Sequence, residues 1–169
     1  MSHRYTLRIR GLAGRTLVAA CCLTLMGFVA SPAPAHAQGP ATLRALGEYR
    51  LTMPTLRKII TAGRGINAGA DAQAINAATN RPAMSIEDLM GVFDRYPAAK
   101  RAVASSGLSP REFATAYLAW VYTGRYLADA EARKALGQTV AGPPAHVRPD
   151  NVTLLRDNQD ELARLLESR

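Results

Sequence analysis

The chain has 169 residues, a formal net charge of +8, two cysteines and three histidines. That length allows one core of ordinary size. The modest charge, with no basic stripe along any predicted helix, argues against a nucleic-acid partner. Cys21 and Cys22 lie together near the start, which excludes a disulfide framework across the rest of the chain.

Residues 1–37 have the form of a cleaved secretory signal peptide. Arg4, Arg8, Arg10 and Arg15 make an acid-free basic leader, Thr16 to Ala30 is apolar, and Ala35-His36-Ala37 is a small-x-small cleavage site. The apolar run is shorter than the roughly 20 residues that cross a bilayer. A competing reading takes Val18-Ala19-Ala20-Cys21 as a lipobox, with a lipoprotein anchored at Cys21. Cleavage after Ala37 leaves 132 residues, lowers the charge to +4 and removes both cysteines. The expected product is an exported protein, periplasmic or secreted, with no transmembrane helix in its mature part.

Residues 38–48 show little periodicity and are expected to be a flexible leader to a single helical domain spanning 49–169. Thr52 can cap a first helix with Pro54 in its first turn and Leu56, Ile59 and Ile60 on one side. From Gly63 to Pro82 the chain is rich in Ala, Asn and Gly. That tract fits either a linker or a small-residue helix lying close against another, and Asn80-Arg81-Pro82 suggests a turn. Ser85-Ile86-Glu87-Asp88 has the form of a capping box, with Met84 positioned to staple onto Leu89; Pro97 opens a further helix that ends at Gly107.

The clearest helix start follows, at Leu108-Ser109-Pro110-Arg111-Glu112. Ser109 can cap, Pro110 has no amide to leave unpaired, and Glu112 can close a box back onto Ser109. At 100° per residue, Phe113, Tyr117, Trp120, Val121, Gly124 and Ala128 share one face, with Leu118, Tyr122 and Tyr126 along a flank. So wide an apolar arc predicts the central helix of the fold. After Ala135 the Gly/Pro-rich segment to Pro149 excludes regular structure. A last helix from about Asp150, capped by Asp150 or Asn151, carries Val152, Leu155, Leu162 and Leu166 on one face. The expected fold class is all-α, a small irregular bundle of about five helices around a central aromatic-rich helix.

No catalytic set stands out. His146 is the one histidine after cleavage and has no thiol or serine elbow nearby; Glu87, Asp88 and Glu112 are accounted for as first-turn acids. Asp157, Asp160 and Glu161 lack the spacing and glycine of a calcium loop. No metal site and no cofactor fingerprint is found, so the cofactor expectation is none. Tyr117, Trp120, Tyr122 and Tyr126 are the candidate groove or contact residues, and the same residues would equally serve a core.

Tyr49-x-Leu51-Thr52-Met53, Leu56-x-Lys58, Gly107-Leu108-Ser109-Pro110-Arg111-Glu112-Phe113 and the late Pro149-Asp150-Asn151-Val152 resemble a group of exported, all-helical bacterial proteins of unassigned function. The resemblance spans most of the mature chain, through short motifs that are mostly helix caps. It departs in residues 63–82 and implies no catalytic residue. Three functions are therefore carried forward. One is a non-enzymatic binding or accessory protein that takes an apolar small molecule or an envelope protein beside the aromatic helix. A second is a cell-envelope enzyme using carboxylates such as Glu112 as acid or base. The third is a structural or assembly protein docking through its last helix.

Overall fold

The computed structural model describes residues 39–81 and 83–167. The expected signal peptide, with its alternative at Cys21, lies outside them. Among the described residues the chain is all-helical, without a strand, and has eight helices rather than about five. They are α1 (Pro40–Glu48), α2 (Met53–Asn67), α3 (Ala72–Thr79), α4 (Ile86–Arg95), α5 (Pro97–Ser105), α6 (Pro110–Ala135), α7 (Pro149–Asp157) and α8 (Gln159–Glu167).

The predicted starts are local and they form. Thr52 accepts the Thr55 amide (3.3 Å) at the head of α2. At α4 both halves of the box are present: the Asp88 amide donates to the Ser85 hydroxyl, and the Ser85 amide to the Asp88 carboxylate, each at 3.0 Å. Aspartate therefore reaches the cap as the longer glutamate normally does, and its carboxyl is held below the usual carboxylate range by the Ser85 hydroxyl that donates to it (2.7 Å) and then by the Ser85 amide. At α6 the Ser109 hydroxyl accepts from the Glu112 amide (3.2 Å), while the Glu112 side chain is exposed.

Three additional boundaries raise the helix number. Residues 38–48, expected as a leader outside the fold, contain α1. Leu46 is fully buried, and Thr42 beside it is 3 % exposed. The helix packs against α6 with Leu46 as its one buried large apolar residue, and so short a segment gives the sequence no period to show. The Gly/Ala tract divides into the end of α2, a turn and α3, which is anchored by the buried Ile75. Its glycines permit close approach: a β-carbon at Gly65 would sit 3.4 Å from the Ala102 methyl, and one at Gly69 3.3 Å from that of Ala98. The last helix is broken at Asn158, whose side-chain amide donates to the Leu154 carbonyl (2.8 Å) alongside its own backbone amide (3.2 Å).

α2 packs on α5, α4 on α5 and α6, and α8 returns to α2. Arg57 of α2 pairs with Glu161 of α8, and the Arg64 guanidinium donates to the Leu165 carbonyl. α6, the longest helix, touches α1, α2, α4, α5 and α7. After an exposed first turn, the helix is enclosed on all sides for one turn, with Phe113, Ala114, Thr115 and Ala116 all buried. Phe113 meets Phe93 edge-on, the ring centroids 5.3 Å apart.

Candidate functional site

Beyond its first turns, α6 buries a different stripe from the one its apolar residues suggest. Ala116, Ala119, Thr123, Leu127 and Ala130 face the other helices and are buried. The Thr123 hydroxyl is satisfied by the Ala119 carbonyl one turn back (2.7 Å), which lets a polar residue sit in that seam. The expected core face, Tyr117, Trp120, Val121 and Gly124, is only half-buried, and Ala128 is exposed. Small residues occupy the seam because they allow neighbouring helices to approach closely.

The four aromatic candidates separate into two groups. Tyr117 stacks parallel to Phe113, the centroids 6.5 Å apart, and burial pushes its phenol pKa up. Trp120 lies near it around the helix, half-buried against the core. Tyr122 and Tyr126 fall on the other side of the helix at 100° per residue. There they hold the segment returning from α6: Tyr122 meets the His146 ring edge-on (5.4 Å between centroids), and the Tyr126 hydroxyl donates to the Ala141 carbonyl (3.0 Å). The four side chains do not converge on one pocket.

His146 is thus more than a loop residue. It lines a shallow cleft of about 430 Å³ with Ala145 and, from α1, Leu43, Arg44, Gly47 and Glu48. Burial pushes its imidazole below the ordinary histidine value. The return segment lies so close to α1 that a β-carbon at Gly47 would stand 2.4 Å from the Ala145 carbonyl oxygen. A second cleft, of about 180 Å³, runs between α2 and α5 and is lined by small residues including Gly65 and Ala102. Neither cleft is lined by the aromatic residues of α6.

Asn151 acts across the molecule rather than on its own helix. The sequence offers it as a cap for the last helix, but its side chain is buried and spans to the link between α1 and α2. Its carbonyl oxygen accepts from the Leu51 amide (2.8 Å), and its NH2 donates to the Tyr49 carbonyl (3.0 Å). One side-chain amide thereby does for an extended backbone what a neighbouring strand would do. Arg148 reinforces the joint, donating to the Glu48 carbonyl (3.3 Å) and pairing with Asp150 (2.9 Å). The motifs around Tyr49 and Asn151, a hundred residues apart, are two halves of one contact.

The carboxylates lie at the surface or in ion pairs. Glu87 pairs with Arg111 (3.1 Å), Asp94 with Lys100 (3.2 Å) and Asp129 with Arg133 (2.9 Å). Glu112 is exposed. Its charge adds to burial in raising the Tyr49 phenol, which a hydrogen bond from Thr55 opposes. Among the described residues no three His, Cys, Asp or Glu side chains are grouped to hold a metal ion, and no helix is long and apolar enough to cross a membrane. In comparisons with known proteins, no family model, no curated protein and no solved structure matches this chain.

Proposed function

We propose that this chain is an exported accessory protein of a bacterial cell envelope that binds a partner without catalysing a reaction, using the open face of the helix around which the domain is organised. The observation that carries this reading is the incompletely buried apolar stripe of α6. Tyr117, Trp120, Val121 and Gly124 are only partly buried, Ala128 is exposed, and nothing lies within 4 Å of where a side chain at Gly124 would begin. An extended or helical segment of an envelope protein fits such a strip better than an enclosed apolar molecule, because the strip has aromatic anchors but no closing wall. Export is supported by the basic leader, apolar run and Ala35-His36-Ala37 site, and by the resemblance to exported helical proteins.

The test is native mass spectrometry of the protein purified from its host's envelope, with Trp120 emission followed as any partner is released. Trp120 is the chain's single tryptophan, so its fluorescence reports on the strip directly. A chain beginning at Gln38 with a protein partner, lost in Val121→Asp, is the expected result. A partner retained by Val121→Asp, with Trp120 emission unchanged on release, would refute the proposal.

A further inference from the structure

The larger of the two clefts, about 430 Å³, is built from one turn of α1 and two residues of the segment returning from α6. Leu43, Arg44, Gly47 and Glu48 fall on one face of their helix, so both charged side chains line the same side of it. Gly47 lets the walls meet, since any side chain there would strike the Ala145 carbonyl. The facing wall is His146. Its ring meets Tyr122 edge-on, and burial keeps the imidazole neutral at ordinary pH. Arg148 fixes the end of the cleft by donating to the Glu48 carbonyl (3.3 Å).

Arg44 and Glu48 carry opposite charges four residues apart. Among the described residues, nevertheless, neither side chain has an ion-pair or hydrogen-bond partner. Asp129 and Arg133 of α6, at the same spacing but with the acid first, do pair (2.9 Å). A cation that precedes its acid is the weaker orientation on a helix, so little is lost when each of the two takes another partner. The cleft therefore offers a free guanidinium and a free carboxylate on one wall. The rest of its lining is aliphatic or a neutral ring.

We propose that this cleft binds a free α-amino acid with an apolar side chain, its carboxylate on Arg44, its ammonium on Glu48 and its side chain against Leu43 and the His146 ring. The two charges of an α-amino acid sit on neighbouring carbons, which suits two side chains whose β-carbons stand about 5–6 Å apart. A ligand of single charge fits less well: an anion alone would face Glu48, and a cation alone Arg44. The volume lies within the about 300–1,000 Å³ of small-molecule sites. The cleft is separate from the α6 strip and does not depend on what that strip binds.

The test uses the protein as its host processes it, with wild type and variants verified by intact mass to share one N-terminus. Calorimetry measures affinity, and the side-chain NMR signal of His146, assigned by its loss in His146→Gln, reports the place. L-leucine, L-methionine and L-phenylalanine are the probes. At least one is expected to bind saturably below about 1 mM and to shift the His146 signal. Arg44→Gln and Glu48→Gln should each weaken that binding at least tenfold, with thermal melting unchanged because both side chains are exposed. The amide of the bound amino acid, which lacks the carboxylate, should lose nothing further in Arg44→Gln, and its deaminated acid nothing further in Glu48→Gln. Absence of saturable binding by all three probes, binding that leaves the His146 signal in place, or wild-type affinity in both variants would overturn the proposal.

Discussion

At Asn151 one side chain completes the hydrogen bonding of an interhelical link that has no other partner for those two groups. Asn151→Ala leaves the Leu51 amide and the Tyr49 carbonyl buried and unpaired, and should destabilise the fold by about 2–4 kcal/mol in chemical denaturation. Asn151→Asp separates the two bonds. The carboxylate can still accept from Leu51 but cannot donate to Tyr49, and its charge is buried. It should cost as much or more at pH 7 and regain stability as the pH falls and the acid protonates; a flat pH response would show that the donor half contributes nothing. The role was not legible because an Asn one or two residues into a helix looks the same whether it caps its own turn or reaches across the molecule. Thr52, Ser85 and Ser109 were legible because each acts on an amide three residues away.

At the scale of elements, α6 shows what a helical period can and cannot decide. Its apolar residues form two stripes, and the choice of which one is buried belongs to the helices around it. The small-residue stripe wins because α1, α2, α4 and α5 need close approach, and the aromatic stripe is left at the edge. The glycines divide in the same way. Gly124→Ala meets open space and removes backbone freedom from a helix interior, so it should stabilise by about 0.5–1 kcal/mol. Gly69→Ala meets the Ile66 carbonyl at 3.2 Å and the Ala98 methyl at 3.3 Å, so it should give no gain or a loss. Paired thermal melts test the contrast, and equal shifts in both variants would contradict this account of α2–α5 packing. The helix number was underestimated for similar reasons. α1 buries one large apolar side chain, Leu46, and at the α7–α8 break Asn158 turns its side-chain amide to its own backbone.

For the molecule as a whole, the return segment joins α6 to α1 through His146 and Ala145. Burial lowers the His146 pKa, so the folded chain binds a proton there less readily than the unfolded chain. Stability from this group is complete above about pH 6.5 and falls as the pH drops through the depressed folded value. Arg44 and Glu48 of α1 line the same cleft, Tyr122 faces the ring from α6, and Arg148 lies two residues on. His146→Gln should flatten the decline in melting temperature between pH 7 and pH 5. A decline as steep as wild type would place the sensitivity elsewhere.

The contact between Asn151 and the Tyr49–Leu51 link also sets a timetable. Its halves are 100 residues apart, and α2 finds α8 over a similar distance through Arg57 and Glu161, 104 residues apart. A ribosome adding about 5–20 residues per second needs on the order of 5–20 s to supply the second half after the first. Throughout that interval the early helices lack the partner that closes them. The newborn chain is therefore kept from a finished early half, and its locking waits for residues synthesised a hundred positions later.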